Sequence, residues 1–251
     1  MSTGQLQLAV VGVGPGHPDL VTPQALAAIR SAELVVGWDL DLQPVRPWLK
    51  GKRVFLQTVK NYRRVISRVA RLARRSHERV AVPRVGDPCI SSGLKGLLEL
   101  FHGFEVSIIP GISSVQMLAA LARINLDEAM IVTFHDYGNP DEKQKELVSA
   151  FAQGRHLVVL ASPDLKPGPM ARFLIEQGIP GRTRVVIGSN LTLPEERIIR
   201  SALAKIDHQE FHWLTITAIL NPSVQTDTVD RKMWLRWRHH HARKPADGLD
   251  S

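Results

Sequence analysis

The sequence is poor in cysteine: Cys89 stands alone among 251 residues. A single thiol excludes an internal disulfide framework and a cysteine-based zinc site, and it favours the cytoplasm. No apolar run is long enough to span a bilayer, because Asp, Arg or Lys interrupts every candidate. The opening "MSTGQLQ" has neither a basic n-region nor an apolar h-region, so no secretory signal is expected. Gly-x-x-x-x-Gly-Lys-Ser/Thr, Gly-x-Ser-x-Gly and His-Glu-x-x-His are all missing, which argues against a P-loop, a nucleophile elbow and a zincin helix. Acidic residues are also in deficit. Asp and Glu number 24 against 32 Lys and Arg, a net charge of +8. Such a surface attracts anions: nucleic acid, anionic lipid or a polycarboxylate.

The positive charge is unevenly placed. Between Asn61 and Arg79, Val65, Val69 and Leu72 recur at helical spacing, and Arg64, Arg68, Arg71 and Arg75 form a stripe on one face. That stripe reads either as a solvated face or as an anion-collecting surface. The last segment, 223–251, is a basic appendage carrying Trp234, Trp237 and the His239–His241 tract, on which no function is built.

Apolar strand-like runs alternate with helical patterns along most of the chain. Strands are expected at "LQLAVVGV", "AELVVG", "KRVFLQ", "RVAVPRVG" and "FEVSIIPG", with helices at about 22–31, 62–76, 92–102 and 113–122. A second set follows at "AMIVTFH", "RHLVVLAS", "TRVVIGSN" and "WLTITAIL", with helices at about 141–153, 168–177 and 195–206. The expected fold class is α/β, with two α/β domains. Residues 1–125 hold a mostly parallel sheet and 126–222 a mixed sheet. In open α/β sheets ligands sit at strand carboxyl ends, so the strand ends should carry the chemistry.

The first strand end reads "VVGVGPGHPDL". Its glycines, Gly12, Gly14 and Gly16, miss the dinucleotide spacing by one residue, and Pro15 and Pro18 remove amide donors. Thr22 with Pro23 marks the helix start, six residues past Gly16 and too far to meet a phosphate in the loop. Asp39 follows the next strand, so three readings stand: a nucleotide loop, a bare loop, or the mouth of another site. A nicotinamide dehydrogenase is the alternative enzyme, and a nucleic-acid or membrane-surface protein the alternative of another class.

Four motifs then occur in order: "VGVGPGHPDLVTPQA", "VGDP" at Val85–Pro88, "PGISSVQ" at Pro110–Gln116, and "LPEERI" at Leu193–Ile198. This set resembles the tetrapyrrole methyltransferase family over about residues 6–220. The pattern is most similar to the branch that methylates carbon 5 of cobalt-precorrin-7; other precorrin or uroporphyrinogen C-methyltransferases are the nearest alternative. It departs from that branch at Cys89-Ile90-Ser91-Ser92, where a glycine and an aromatic pair are usual, and at Thr192, where a glycine is usual. The resemblance implies S-adenosyl-L-methionine as cofactor, a cobalt-precorrin substrate, no enzyme-bound metal and a homodimer. A separate carbon-15 methyltransferase/decarboxylase is an implied partner; membrane and nucleic acid are not.

By the same resemblance the active-site cleft lies between the two domains, with Gly86, Asp87, Ile90, Ser113, Ser114, Ala161 and Asn190 against the cofactor and Pro15 and Gly16 against the tetrapyrrole. Asp87-Pro88 also reads as a plain turn, and Ser113-Ser114 as a helix N-cap. His135 is the candidate for acid–base work or for contact with the macrocycle; it also reads as a structural histidine bonded to a carbonyl. Glu195 and Glu196 suit a helix start without any catalytic role.

Overall fold

A computed structural model describes residues 5–90, 93–135, 139–162 and 165–224. Ser91, Ser92, Asp136 and the appendage beyond residue 224, with its Trp and His residues, lie outside the described residues. The first half runs β1 (Gln7–Gly12), α1 (Pro23–Ser31), β2 (Leu34–Gly37), α2 (Asp39–Leu42), β3 (Arg53–Leu56), α3 (Tyr62–Ser76), β4 (Val80–Arg84), α4 (Leu94–Leu100), β5 (Glu105–Ile109) and α5 (Ser114–Ala122). The second runs β6 (Ala129–Thr133), α6 (Pro140–Ala152), β7 (His156–Leu160), α7 (Pro167–Glu176), β8 (Arg184–Ser189), β9 (Arg197–Ala202), α8 (Leu203–Ile206) and β10 (Thr215–Ile219).

The first sheet has the order β3-β2-β4-β1-β5 and every pairing in it is parallel. Strands covered on both faces read as continuous apolar runs, and β4 is buried along its whole length. One face is filled by Val11, Val35, Ala81 and Ile109 against α1, the other by Val10, Val36 and Val82 against α3 and α4. Thr22 caps α1 as expected, its hydroxyl accepting the Ala25 amide, with Pro23 at the first helical position. α3 buries Ile66, Val69, Ala70 and Ala73 and leaves Arg64, Arg68, Arg71 and Arg75 exposed; Arg68 lies over the Phe55 ring.

The second sheet has the order β6-β7-β10-β8-β9, with β6 and β7 parallel and the rest antiparallel. This is the expected mixed sheet, with one correction. The helix expected at 195–206 is mostly strand β9, followed by the single turn α8. Its "RIIRSA" pairs along all six residues with β8, from Arg184 opposite Ala202 to Ser189 opposite Arg197. Ile198 and Ile199 fit a pleated surface, and pairing satisfies an edge that β8 would otherwise expose. Glu196 instead accepts the Thr192 amide at 2.7 Å within the turn between β8 and β9. Also missing from the sequence reading are α2 with the 3-10 segment to Trp48 and the 3-10 turns at Pro18–Leu20 and Leu126–Glu128, all too short to show a period.

Between the sheets, α5 packs not on the first sheet but on β8 and β10: Val115 and Leu118 face Val186, Ile216 and Ala218. In α4, an added Cβ at exposed Gly96 meets nothing within 4 Å. Gly96→Ala is therefore expected to raise stability by about 0.5–1 kcal/mol, through reduced freedom of the unfolded chain. A urea melt reads this as a higher midpoint at unchanged slope.

Candidate functional site

The loops after β1 and β4 leave toward opposite faces of the first sheet, one to α1 and the other to α4. That is the switch point where open α/β sheets form a crevice. Here three backbones are pressed together. A Cβ on Gly12 would lie 2.6 Å from Gly111 Cα and 2.8 Å from Gly86 O. One on Gly111 would overlap Gly86 O and lie 2.8 Å from Gly12 C. Gly14 and Gly86 form a bridge in which the Gly86 amide donates to Gly14 O at 2.7 Å, and the Val13 amide donates to Arg84 O at 2.9 Å. The loop's glycines thus serve close approach of backbone to backbone. The Val13 amide, which a phosphate cradle would aim at an anion, is spent on β4, and a 3-10 turn at Pro18–Leu20 separates the loop from α1.

Asp87 ties the β4 loop to the β5 loop. Its carboxylate accepts the Cys89 amide at 2.7 Å and the Gly111 amide at 3.0 Å. Behind it is a buried polar group that sequence reading did not find. Asp41 accepts the Val85 amide at 2.8 Å and the Trp38 amide at 3.1 Å, and lies 3.5 Å from Arg84, both side chains under a tenth exposed. Gln57 Oε1, in the orientation that satisfies it, accepts from Trp38 Nε1 at 2.6 Å and Arg84 Nη1 at 3.0 Å. Burial raises the Asp41 pKa above the ordinary carboxylate value, against the pull of Arg84 and the two amides. Asp39, the acid noted in the sequence, is exposed and pairs with Arg46 instead. The signal for Asp41 was its place three residues after Trp38, where a carboxylate reaches back to close a capping box.

The opposite wall comes from the second half. The Ala161 amide donates to Thr215 O, and the Asn190 amide to Leu214 O. Thr215 donates its hydroxyl to His212 O and accepts that of Ser189 at 2.7 Å. Two contacts close the halves on each other. The His17 amide donates to Thr192 Oγ1 at 3.1 Å, and a Cβ on Gly16 would lie 2.7 Å from the Leu193 side chain. Thr192 holds φ at +67°, the left-handed region, which accounts physically for a preference for glycine at this position. Its hydroxyl makes the cross-cleft bond that a glycine lacks.

Pro15, Ser114 and His135 line one cavity of about 50 Å³ with Val85, Leu160 and Thr215. No Lys, Arg, Asp or Glu is among its lining residues. Gly86 lies over Ser113, the N-cap of α5, which accepts the Val115 amide while Gln116 accepts the Ser113 amide. Ile90 packs on the α5 side of the second sheet. Ala161 and Asn190 stand beside lining residues through their backbone bonds, and Gly16 sits under Leu193. The exposed His135 ends the turn after β6, its amide donating to Thr133 Oγ1. The α3 arginines do not line this cavity. Leu160, Gly188, Leu191, Leu214, Thr215 and Ile216 went unremarked in the sequence, where apolar strand residues carry no sign of facing a cleft.

A family model, Tetrapyrrole (Corrin/Porphyrin) Methylases, matches residues 7–207. The chain is 30% identical over 208 residues to a probable cobalt-precorrin-7 C(5)-methyltransferase of Methanocaldococcus jannaschii, covering 82% of this chain and 94% of the relative. It is 32% identical over 215 residues to the cobalt-precorrin-7 C(5)-methyltransferase of Salmonella typhimurium, covering 84% and 92%. Among solved structures, uroporphyrin-III C-methyltransferase from Thermus thermophilus, complexed with S-adenosylhomocysteine, shares the fold at a TM-score of 0.67 and 22% identity, over 85% of this chain and 97% of that one.

Proposed function

The chain belongs to the tetrapyrrole (corrin/porphyrin) methylase family, and from that premise we propose that it is an S-adenosylmethionine-dependent C-methyltransferase of cobalamin biosynthesis acting at carbon 5 of cobalt-precorrin-7. The observation that carries this reading is the uncharged cavity at the switch point, which gathers Pro15, Ser114 and His135 from both halves. A dinucleotide's pyrophosphate would find no cation among those lining residues. A sulfonium cofactor with an adenosine body fits walls of carbonyls, hydroxyls and apolar side chains, and spares the cost of a buried ion pair. The fold neighbour complexed with S-adenosylhomocysteine supports the same choice.

S-adenosylmethionine brings a methyl group already activated by positive charge. The protein's share is alignment and exclusion of water. In this reading Gly86, Asp87, Ile90, Ser113, Ser114, Ala161 and Asn190 hold the cofactor, Asp87 by fixing two loops as well as by contact. Pro15 and Gly16 face the macrocycle, and His135 takes up the proton released from the methylated carbon at an imidazole nitrogen. An occupied small-molecule site fills roughly 300 Å³ or more, so binding parts Gly16 from Leu193. We place the boundary between the two lobes near residue 125, with the basic appendage beyond 222. We read the protein as a homodimer; the exposed Val106 and Ile108 on edge strand β5 support self-association. The carbon-15 partner rests on the resemblance alone.

Calorimetric titration tests the cofactor. S-adenosylhomocysteine is expected to bind at one site and NAD not at all; the reverse would overturn the reading. Asp87→Ala is expected to weaken S-adenosylhomocysteine binding about tenfold or more, since two amides lose a charged acceptor. The departures at Cys89-Ile90 and Thr192 bear on the target carbon. The position of the new methyl group in the product of a cobalt-precorrin-7 incubation decides between carbon 5 and another carbon.

A further inference from the structure

At the end of the second sheet away from the cleft, two adjoining cavities of about 310 and 620 Å³ share Ala122, Arg123 and Arg184. Arg182 and Arg200 complete the rim. These four arginines come from separate places: the left-handed C-cap of α5, the turn before β8, β8 itself and β9. Arg200 stands opposite Val186, and Arg184 precedes Val186 by two, so the two arginines are diagonal neighbours on one face of the β8–β9 pair. Like charges so placed repel.

Their neighbours do little to relieve this. Arg200 donates to the Leu121 carbonyl. Among the described residues the side chains of Arg123, Arg182 and Arg184 have no ion pair or hydrogen bond. His156, on the wall, accepts the Asn221 amide at Nδ1, so that nitrogen carries no proton, and burial lowers the group's pKa. The α3 stripe differs: it lies on a convex helix face, whereas a concave cluster focuses its field. The remaining lining mixes the polar Thr183 and Asn221 with apolar Ile124, Pro180 and Leu220.

We propose that this groove binds an organic polyphosphate of nucleotide size, its phosphates on Arg123, Arg184 and Arg200 and its apolar body against Ile124, Pro180 and Leu220. A planar carboxylate meets one guanidinium fork well. A phosphate presents three acceptor oxygens in different directions and suits forks arriving from a helix end and two strands. Arg184 lies four residues along β8 from Gly188, which lines the cleft cavity, about 14 Å at ~3.4 Å per residue. The groove's ligand therefore does not touch the methyl-transfer site, and β8 and β10 run from one to the other.

The test uses the full chain saturated with S-adenosylhomocysteine, which keeps adenine probes out of the cleft. At low salt, ATP is titrated beside tripolyphosphate, adenosine and citrate. ATP is expected to bind, tripolyphosphate more weakly, and adenosine and citrate not measurably. Arg184→Gln and Arg123→Gln are each expected to weaken ATP about 10- to 100-fold, with S-adenosylhomocysteine affinity unchanged. Absence of ATP binding, ATP binding indifferent to both substitutions, or citrate binding as tightly as ATP would overturn the proposal. The S-adenosylhomocysteine titration itself reports separately on the methyltransferase reading.

Discussion

Replacing Asp41 with alanine is expected to remove about 3–5 kcal/mol of stability, because it leaves the Arg84 guanidinium buried without its counter-charge. The loss has a second part: the Trp38 and Val85 amides lose their acceptor in the same substitution. Arg84→Met should be milder. Asp41, whose pKa burial already raises, can take up a proton and still accept at its carbonyl oxygen. The pH dependence of that variant follows in sign. A carboxyl whose folded pKa lies above its unfolded pKa stabilises the fold at low pH, and that stability is lost as pH rises through the folded value. Urea melts across pH would therefore show Arg84→Met losing stability toward neutrality relative to the parent. Equal midpoints for Asp41→Ala and the parent would show that the pair contributes nothing. Since Val85 leads directly into Gly86 and Asp87, Asp41→Ala should also weaken S-adenosylhomocysteine.

Gly111→Ala is expected to be the next most damaging change. The added Cβ overlaps Gly86 O and sits 2.8 Å from Gly12 C and Cα. All of these are backbone atoms, so no rotamer change relieves the clash. Overpacking of this kind costs about 1–3 kcal/mol. Relief must come from parting the loops after β1, β4 and β5, which also moves the Asp87 carboxylate off the Gly111 amide. The expected readout is a lowered urea midpoint together with at least about tenfold weaker S-adenosylhomocysteine, the cost of a charge-assisted bond. Gly96→Ala, where the Cβ has open space, is the control that separates this clash from a general effect of alanine.

Much of this was legible in the sequence because it is local. The apolar runs of β1, β2 and β4 and the Thr22-Pro23 start of α1 follow from short-range pattern and capping chemistry. The unsuitability of the Gly12–Gly16 loop as a phosphate cradle was also visible, in its spacing and its prolines. What escaped depends on tertiary partners. "RIIRSA" has the composition of either helix or strand until β8 offers an edge. Asp41 and Arg84 are 43 residues apart in the chain, so their pairing has no period to betray it. The arginines of the groove are equally scattered and look like ordinary surface charge one at a time. Position Thr192 was noticed as a departure from glycine, but its reason, a left-handed backbone plus a bond to His17, appears only in three dimensions.

The placement of α5 bears on how the molecule comes apart. Its N-cap Ser113 sits beneath Gly86 of the loop after β4, while Val115 and Leu118 complete the core of the second sheet. Neither sheet can lose the other without disturbing that helix. Freed from β8 and β10, it would present an apolar face to water; freed from the β4 loop, its capped end would lose the surface it rests on. The two lobes therefore share a cooperative unit and should melt in a single step, so that loosening either lobe lowers the stability of the whole chain.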